Sequence, residues 1–185
     1  MAPVLLDMAV SLDGVVGGPD GEDVGLYDWY FDPNPVSKTV VDELVETSGA
    51  LVIGRGAYGT GDDAGGWDDT PYQVPHFVVT HRELPKAPPD RTVEFVPVPE
   101  GVERAVELAK EAAGDRYVTI GGGADVARQC LDAGLVDELQ VHVVPVVIGR
   151  GLRLFDGSTS RWRLRPTRVV DAPLVTHLRY DVLRD

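Results

Sequence analysis

The sequence has few of the residues that stabilise small proteins by cross-links or metal ions. It contains one cysteine, Cys130, so no disulfide can form within one chain, and we expect this thiol to be buried. The four histidines lack the spacing of metal ligands, and no Ser-His-Asp hydrolase motif includes them. A chain of 185 residues can bury a core without such help. We therefore expect a single domain over residues 1–185 and no metal site.

Basic residues and long apolar runs are also scarce. The formal net charge is −13, and no basic stripe interleaved with aromatics is present, which argues against nucleic acid as a partner. No Lys or Arg precedes Lys38, so the N-terminus lacks the basic region of a signal peptide. The longest apolar stretch, residues 143–148, is too short to span a bilayer. These features predict a cytoplasmic protein without a membrane segment.

Hydrophobic periodicity predicts an α/β fold. Residues 3–12 form a buried strand, and residues 35–47 form a helix that Asp32 or Asn34 caps. Further strands are predicted at 50–53, 76–80, 91–96 and 116–120, and further helices at 100–113 and 123–133. The last third reads as strands at 138–147, 162–170 and 174–183, with a hairpin turn at 171–173. A mixed sheet with antiparallel strands at the C-terminal edge accommodates this order.

Three consecutive glycines, Gly121, Gly122 and Gly123, stand between a predicted strand and a predicted helix. Glycines at a helix N-terminus leave the backbone N–H groups accessible, which favours the binding of a phosphate. The alternative explanation is a tight turn whose residues need positive φ. The stretch is not a Rossmann fingerprint because Val126 occupies the third glycine position, and it lacks the Gly-Lys-Ser/Thr of a Walker loop. Two other strand ends carry phosphate-compatible residues: Gly54-Arg55 and Thr80-His81-Arg82.

Four stretches together resemble a known family: DMAVSLDGVVGGPDG, LVIGRGAYG, HFVVTHR and YVTIGGGADVARQCLDAGLVDELQVHVVPVVIGRGLRLFDG. In this order and spacing they look like the reductase domain of riboflavin biosynthesis and its dihydrofolate-reductase-like relatives. The resemblance covers nearly the whole chain. It implies a mixed, mainly parallel sheet flanked by helices, NADPH as the hydride donor, and a homodimer.

The resemblance also implies roles for individual residues. It places the pyrophosphate at Gly121, Gly122, Gly123 and Ala124, with Gly54 and Arg55 alongside the cofactor. It places the adenosine ribose and its 2′-phosphate at Thr80, His81 and Arg82. The nicotinamide would border the Ala9 backbone and the loop of Val15, Val16 and Gly17.

The substrate side follows the family pattern less closely. Bifunctional members carry a zinc deaminase domain with an H-x-E and a P-C-x-x-C signature, which this chain lacks, so deaminase activity is excluded. Folate reductases place a carboxylate on the helix after the first loop, where this chain offers Asp32 near the helix start. Asp13 is either a turn residue or a polar group that faces the substrate, and we list both aspartates as catalytic candidates.

Substrate contacts are predicted for one lysine and for aromatic residues in or near loops. Lys38 is a solvated lysine or a partner for a substrate phosphate. Trp29, Tyr58 and Trp67 either stack on a planar heterocycle or pack against the core, and the glycine-rich residues 59–66 suit a lid.

The sequence therefore predicts an NADPH-dependent reductase of a small heterocyclic or ribityl-type substrate, acting on a C=N or C=O bond. Two alternatives stay open. One is a non-catalytic nucleotide-binding protein of the same fold, and the other is a reductase with a flavin or deazaflavin.

Overall fold

A computed structural model of the chain describes residues 1–31, 34–58, 70–84, 92–158 and 160–183. The strands are β1 (Val4–Ser11), β2 (Val15–Gly17), β3 (Ser48–Gly54), β4 (His76–Val79), β5 (Phe95–Val98), β6 (Tyr117–Ile120), β7 (Glu138–Val144), β8 (Leu152–Arg153), β9 (Arg163–Ala172) and β10 (Val175–Leu183). The helices are α1 (Asp28–Phe31), α2 (Pro35–Thr47), α3 (Arg55–Tyr58), α4 (Val102–Ala113) and α5 (Ala124–Asp132).

Eight strands form one mixed sheet in the order β5-β4-β3-β6-β1-β7-β10-β9. All neighbours from β5 to β7 pair in parallel, whereas β10 is antiparallel to both β7 and β9. The predicted fold class is confirmed, including the antiparallel strands at the C-terminal edge. The short strands β2 and β8 pair with each other outside the main sheet.

Strand β1 separates the two faces of the sheet because its side chains alternate between them. Val4, Leu6, Met8 and Val10 lie in the larger core, which α4 and α5 also line. Leu5 packs on the other side, in a cluster with residues of α2. Of the described helices, none combines the length and the hydrophobicity that a bilayer-spanning segment requires.

Cys130 belongs to the larger core and is fully buried, as predicted. Burial raises the pKa of its thiol to about 12, so the thiol stays protonated at neutral pH.

Helix α2 has the bounds that its apolar pattern predicts, and Asn34 is its N-cap. The Asn34 Oδ1 atom accepts hydrogen bonds from the backbone N–H groups of Val36 (2.9 Å) and Ser37 (3.1 Å). This satisfies two donors that the first turn of a helix leaves without backbone partners. The other candidate cap, Asp32, lies outside the described residues.

The C-terminal third differs in detail from the prediction. Strand β7 ends at Val144, three residues before the predicted end, and β9 extends through Ala172. The hairpin turn is formed by Pro173 and Leu174, because Ala172 still pairs with Val175. Proline has no N–H for a strand ladder, so the ladder stops before Pro173. The sequence pattern also missed β2, β8, α1 and α3, all of four residues or fewer.

Gly49 lies where β3 packs against the end of α4, and a substitution there tests this contact. A Cβ atom on Gly49 would lie 2.6 Å from the Ala113 carbonyl oxygen, which is backbone and cannot yield easily. We expect Gly49→Ala to lower the free energy of unfolding by about 1–3 kcal/mol in urea denaturation. Gly56→Ala is the control, because a Cβ there meets nothing within 4 Å. Equal stability of the two variants would contradict the described contact.

Candidate functional site

The carboxyl ends of β4, β3 and β6 lie side by side, because these strands are parallel neighbours in the sheet. This brings the predicted Gly54, Thr80 and Gly121 positions to one edge. The Gly54 N–H donates to the Gly122 carbonyl oxygen at 3.0 Å, so the loops after β3 and β6 are in direct contact. Crevices at the carboxyl ends of parallel strands are where α/β proteins bind ligands.

The three glycines of the β6–α5 loop have different steric surroundings. A Cβ atom on Gly122 would lie 2.6 Å from the Ala57 Cβ atom. Gly123 has a φ of 90°, and a Cβ there would approach the Gly54 Cα atom to 3.3 Å. Packing within the protein therefore explains both glycines. Gly121 has no such constraint, since its Cβ would make only an ordinary contact of 3.9 Å with Leu51.

Helix α5 begins beside these glycines, and within the described ranges no side chain caps its N-terminus. The first turn carries an acidic residue, Asp125, whose carboxylate is held by the side chains of Arg128 and Gln129. The backbone N–H groups at the start of α5 carry the partial positive charge of a helix N-terminus. A phosphate is the group that such a site accommodates.

Thr80 organises the loop after β4. Its buried hydroxyl accepts a hydrogen bond from the Arg82 backbone N–H (3.0 Å) and lies 3.2 Å from the Arg82 carbonyl oxygen, to which it donates. The side chains of His81 and Arg82 are exposed at this edge. Arg55, at the start of α3, is half-buried, and its guanidinium carbon lies 5.4 Å from the centre of the Tyr58 ring.

Asp13 holds the turn between β1 and β2. Its carboxylate accepts hydrogen bonds from the backbone N–H groups of Ile148 (3.0 Å) and Gly149 (2.9 Å) and from the Ser11 hydroxyl (2.8 Å). These hydrogen bonds hold the pKa of the Asp13 carboxyl well below its usual range, and the bond from the Ile148 N–H has the largest effect. The turn interpretation accounts for all of them, and the catalytic role of Asp13 stays a prediction. Next to this turn, Val15, Val16 and Gly17 form β2, where the nicotinamide was expected.

The predicted substrate residues are spread over different environments. Trp29 is 2% exposed and packs in a cluster with Ala9 and Leu26. Lys38 is exposed on α2 and bonded to Asp42 at 2.6 Å. Tyr58 is buried in the core edge-on to Phe95, at 5.1 Å between ring centres. Asp32, Trp67 and the predicted lid at 59–66 lie outside the described residues.

A buried chain of polar side chains crosses the α2 face of the sheet, and sequence reasoning missed it as a site. The Asp7 Oδ1 atom lies 2.8 Å from His142 Nε2 and 3.1 Å from Gln140 Nε2. His142 Nδ1 lies 2.6 Å from His177 Nδ1, and His177 Nε2 lies 3.1 Å from the Ser37 hydroxyl. All but Asp7 are buried, and the Asp7 side chain is 15% exposed. We call this set the Asp7 network.

Hydrogen-bond roles in the Asp7 network follow from the Asp7 end. A carboxylate only accepts, so His142 Nε2 carries the hydrogen, and the Nδ1 atom of an imidazole with one N–H then accepts. His177 Nδ1 therefore donates to His142, and His177 Nε2 accepts from the Ser37 hydroxyl. The Ser37 oxygen also accepts from Asn34 Nδ2 at 3.2 Å. With one N–H on each imidazole, every bond points toward the Asp7 carboxylate.

Aromatic residues surround the Asp7 network. The Trp29 ring centre lies 4.6 Å from that of His142 and 4.9 Å from that of His177. Burial, followed by the charge of Asp7, raises the pKa of Tyr27 to about 12 and also raises the pKa of Tyr72. Both phenols thus keep their protons and remain donors. In the described ranges, no three His, Cys, Asp or Glu side chains converge as a metal site requires.

The sequence contains one signal that could have revealed this network. Asp7 interrupts an otherwise apolar buried strand, VLLDMAVS, and a buried charge needs partners. His142, inside β7, has hydrogen-bond partners at both ring nitrogens. What the sequence could not supply is the register that sets Asp7 opposite Gln140 and Ala9 opposite His142.

The stability of the protein should depend on pH through His177. Burial, and then His142, lower the pKa of His177 from 6.5 to about 4, with smaller effects of Asp7 and Arg168. Between these values the unfolded chain binds more protons than the folded chain, so stability decreases as pH falls from 6.5 toward 4. Because one pKa unit corresponds to about 1.4 kcal/mol, we expect a loss of up to about 3 kcal/mol that His177→Gln abolishes.

Urea denaturation at several pH values between 7 and 4.5 measures this effect. His81→Gln, at an exposed histidine, should keep the pH slope of the wild type. Identical slopes for the wild type and His177→Gln would contradict a buried, neutral His177.

Sequence comparisons relate the chain to known proteins. A sequence model of the RibD C-terminal domain family matches residues 2–176. The uncharacterized protein YwjB of Bacillus subtilis (strain 168) is 25% identical over 167 residues, which cover 87% of each chain.

Two solved structures share the fold. A protein from Shewanella sp. PV-4 named for riboflavin biosynthesis is 24% identical, with a TM-score of 0.71 and full coverage of both chains. A Thermotoga maritima protein is named as a diaminohydroxyphosphoribosylaminopyrimidine deaminase and 5-amino-6-(5-phosphoribosylamino)uracil reductase. It is 17% identical, with a TM-score of 0.68, and the alignment covers 98% of this chain and 57% of that one.

Proposed function

The chain belongs to the RibD C-terminal domain family, and we propose that it is an NADPH-dependent reductase that transfers hydride to a C=N or C=O bond of a small heterocyclic substrate. The family is one of pyrimidine reductases, which supports the reaction class. The name of the Thermotoga maritima relative supports a pyrimidine-like ring as the acceptor. The deaminase part of that relative's name does not extend to this chain, which has only one cysteine.

The observation that carries the cofactor assignment is the pairing of Gly121 with the uncapped start of α5. Packing within the protein accounts for Gly122 and Gly123 but leaves Gly121 without an internal reason to be glycine. A pyrophosphate against the Gly121 backbone would supply that reason and would satisfy the free N–H groups of α5. NADPH would contribute the hydride, while the protein binds and orients both reactants and excludes water.

The preference for NADPH over NADH would rest on the loop after β4. Arg82 is exposed at the same edge as Gly54 and Gly121, where its forked donors can pair with a 2′-phosphate. The net charge of −13 does not prevent this, because charges beyond about 8 Å are screened at physiological ionic strength.

Calorimetric titration of the purified protein with NADPH and NADH tests the cofactor. We expect NADPH to bind more tightly, and Arg82→Ala to weaken NADPH binding by about 10- to 100-fold, the equivalent of one charge-assisted interaction of about 1.5–3 kcal/mol. NADH binding should be nearly unchanged in the variant. The control is Arg116→Ala, an exposed arginine that precedes β6 at the opposite edge of the sheet. If neither nucleotide binds the wild type, the proposed function is wrong.

Gly121→Ala tests the pyrophosphate position independently of the ribose. The new methyl group fits the protein itself, so the free energy of unfolding should change by less than about 1 kcal/mol. It would instead occupy the space assigned to the pyrophosphate, and we expect NADPH affinity to fall at least tenfold in the same titration. Unchanged affinity would place the pyrophosphate elsewhere.

A homodimer and a cytoplasmic location are further parts of this proposal. The edge strand β9 supports the dimer, since most of its residues are exposed on both faces of the strand. Leu164 and Val169 are 40% and 65% exposed there, which leaves apolar surface that a second subunit could cover.

A further inference from the structure

We propose that Asp7 and Trp29 form the binding site for the reducible heterocycle, with the Asp7 carboxylate accepting a ring N–H and the Trp29 indole N–H donating to a ring carbonyl. This inference rests on the proposed reductase function and assigns two residues to the substrate ring proposed above, a planar nitrogen heterocycle with neighbouring N–H and C=O groups. No residue of the sequence prediction other than Trp29 belongs to this site.

Among the described residues, only one oxygen of the Asp7 carboxylate has hydrogen-bond donors. The Oδ1 atom receives hydrogen bonds from both His142 and Gln140. No described residue donates a hydrogen bond to Oδ2. The His142–His177–Ser37 chain points its donors toward the carboxylate and holds it as an acceptor. A ligand N–H is the group that the remaining oxygen can bind.

Trp29 provides an independent observation. Its side chain is buried, and its Nε1 atom has no hydrogen-bond partner in the described parts of the chain. A buried donor without a partner is unfavourable, and a ligand acceptor would remove this cost. The ring packs against His142 and His177, so this unpartnered donor lies beside the Asp7 network.

Charge distribution on this sheet face separates the site from an ordinary structural ion pair. Arg179 is bonded to Glu138 (2.8 Å) and lies 3.5 Å from Glu43, and Arg168 also pairs with Glu43. These arginines hold α2 against β9 and β10. Asp7 is recorded with no arginine or lysine partner among the described residues, although it is 15% exposed. A poorly solvated carboxylate without a cation favours a ligand that brings N–H donors.

The position also suits hydride transfer. Ala9, where the nicotinamide is expected, follows Asp7 by two residues in β1, so both side chains face the same side of the sheet. Their Cα atoms are roughly 6.6 Å apart along an extended strand. A six-membered ring bound to Asp7 can thus bring a ring carbon to the nicotinamide, while Tyr27 and Tyr72 add aromatic surface around it.

The test uses three probes that differ in hydrogen-bonding groups: uracil, 1,3-dimethyluracil and 2,4-diaminopyrimidine. Uracil has N–H and C=O groups, its dimethyl derivative has no N–H, and the diamine has no C=O. Dissociation constants are measured by NMR titration of the full chain, with and without saturating NADPH. The variants are Asp7→Asn and Trp29→Phe, with Asp115→Asn as an exposed carboxylate control.

We expect the wild type to bind uracil at least tenfold more tightly than 1,3-dimethyluracil. Asp7→Asn should weaken uracil and 2,4-diaminopyrimidine at least tenfold, whereas Trp29→Phe should weaken uracil and spare the diamine. Asp115→Asn should change neither. This crossed pattern would not arise from a general loss of structure, which would weaken both probes in every variant. Trp29→Phe loses buried packing and also removes an unpaired donor, two effects of opposite sign on its stability.

Two results would overturn the proposal. One is a wild type that binds NADPH but none of the N–H-bearing probes at millimolar concentration. The other is probe binding that is unaffected by Asp7→Asn while Arg82→Ala still weakens NADPH. In both cases the reductase function stands. Asp7-dependent probe binding without any NADPH binding would instead support the heterocycle site and refute the cofactor.

Discussion

Strand β1 is hydrogen-bonded to β6 on one side and to β7 on the other, and this double pairing sets the glycine loop and the Asp7 network relative to one another. The β6 pairing sets Leu6 beside Ile120, so the β1 turn and the glycine loop leave the sheet at the same edge. The β7 pairing sets Asp7 beside Gln140 and brings His142 within reach of the carboxylate. A register shift of one residue would point the Asp7 side chain into the larger core, which is a cluster of hydrophobic residues.

Local patterns were sufficient to predict the parts of the molecule that depend on neighbouring residues. Asn34 and the apolar spacing of α2 predicted that helix to the residue, because capping and periodicity act within one or two turns. The glycines after β6 were identified for the same reason, although only Gly121 is left for a ligand. The Asp7 network was not predicted, since it joins side chains from β1, α2, β7 and β10 whose proximity follows from strand register alone.

The two halves of the proposed site favour ligand groups of opposite character. The proposed cofactor site offers backbone N–H groups, the start of α5 and arginine side chains, all of which favour anionic oxygens. The substrate side offers a carboxylate whose neighbours all donate toward it, which favours ring N–H groups. Asp7 is therefore oriented by hydrogen bonds from His142 and Gln140, and the arginines of this face remain bound to glutamates.

The N-cap of α2 connects helix stability to the heterocycle site. Asn34 accepts two backbone hydrogen bonds through Oδ1 and donates through Nδ2 to Ser37, which is itself bonded to His177. The Ser37 oxygen can accept from the helix cap while its hydrogen is donated to His177 Nε2. An imidazole with one N–H that accepts at Nε2 donates at Nδ1, so this arrangement continues through His142 to Asp7. The N-cap residue of α2 is thus hydrogen-bonded to the same chain of side chains that ends at the Asp7 carboxylate.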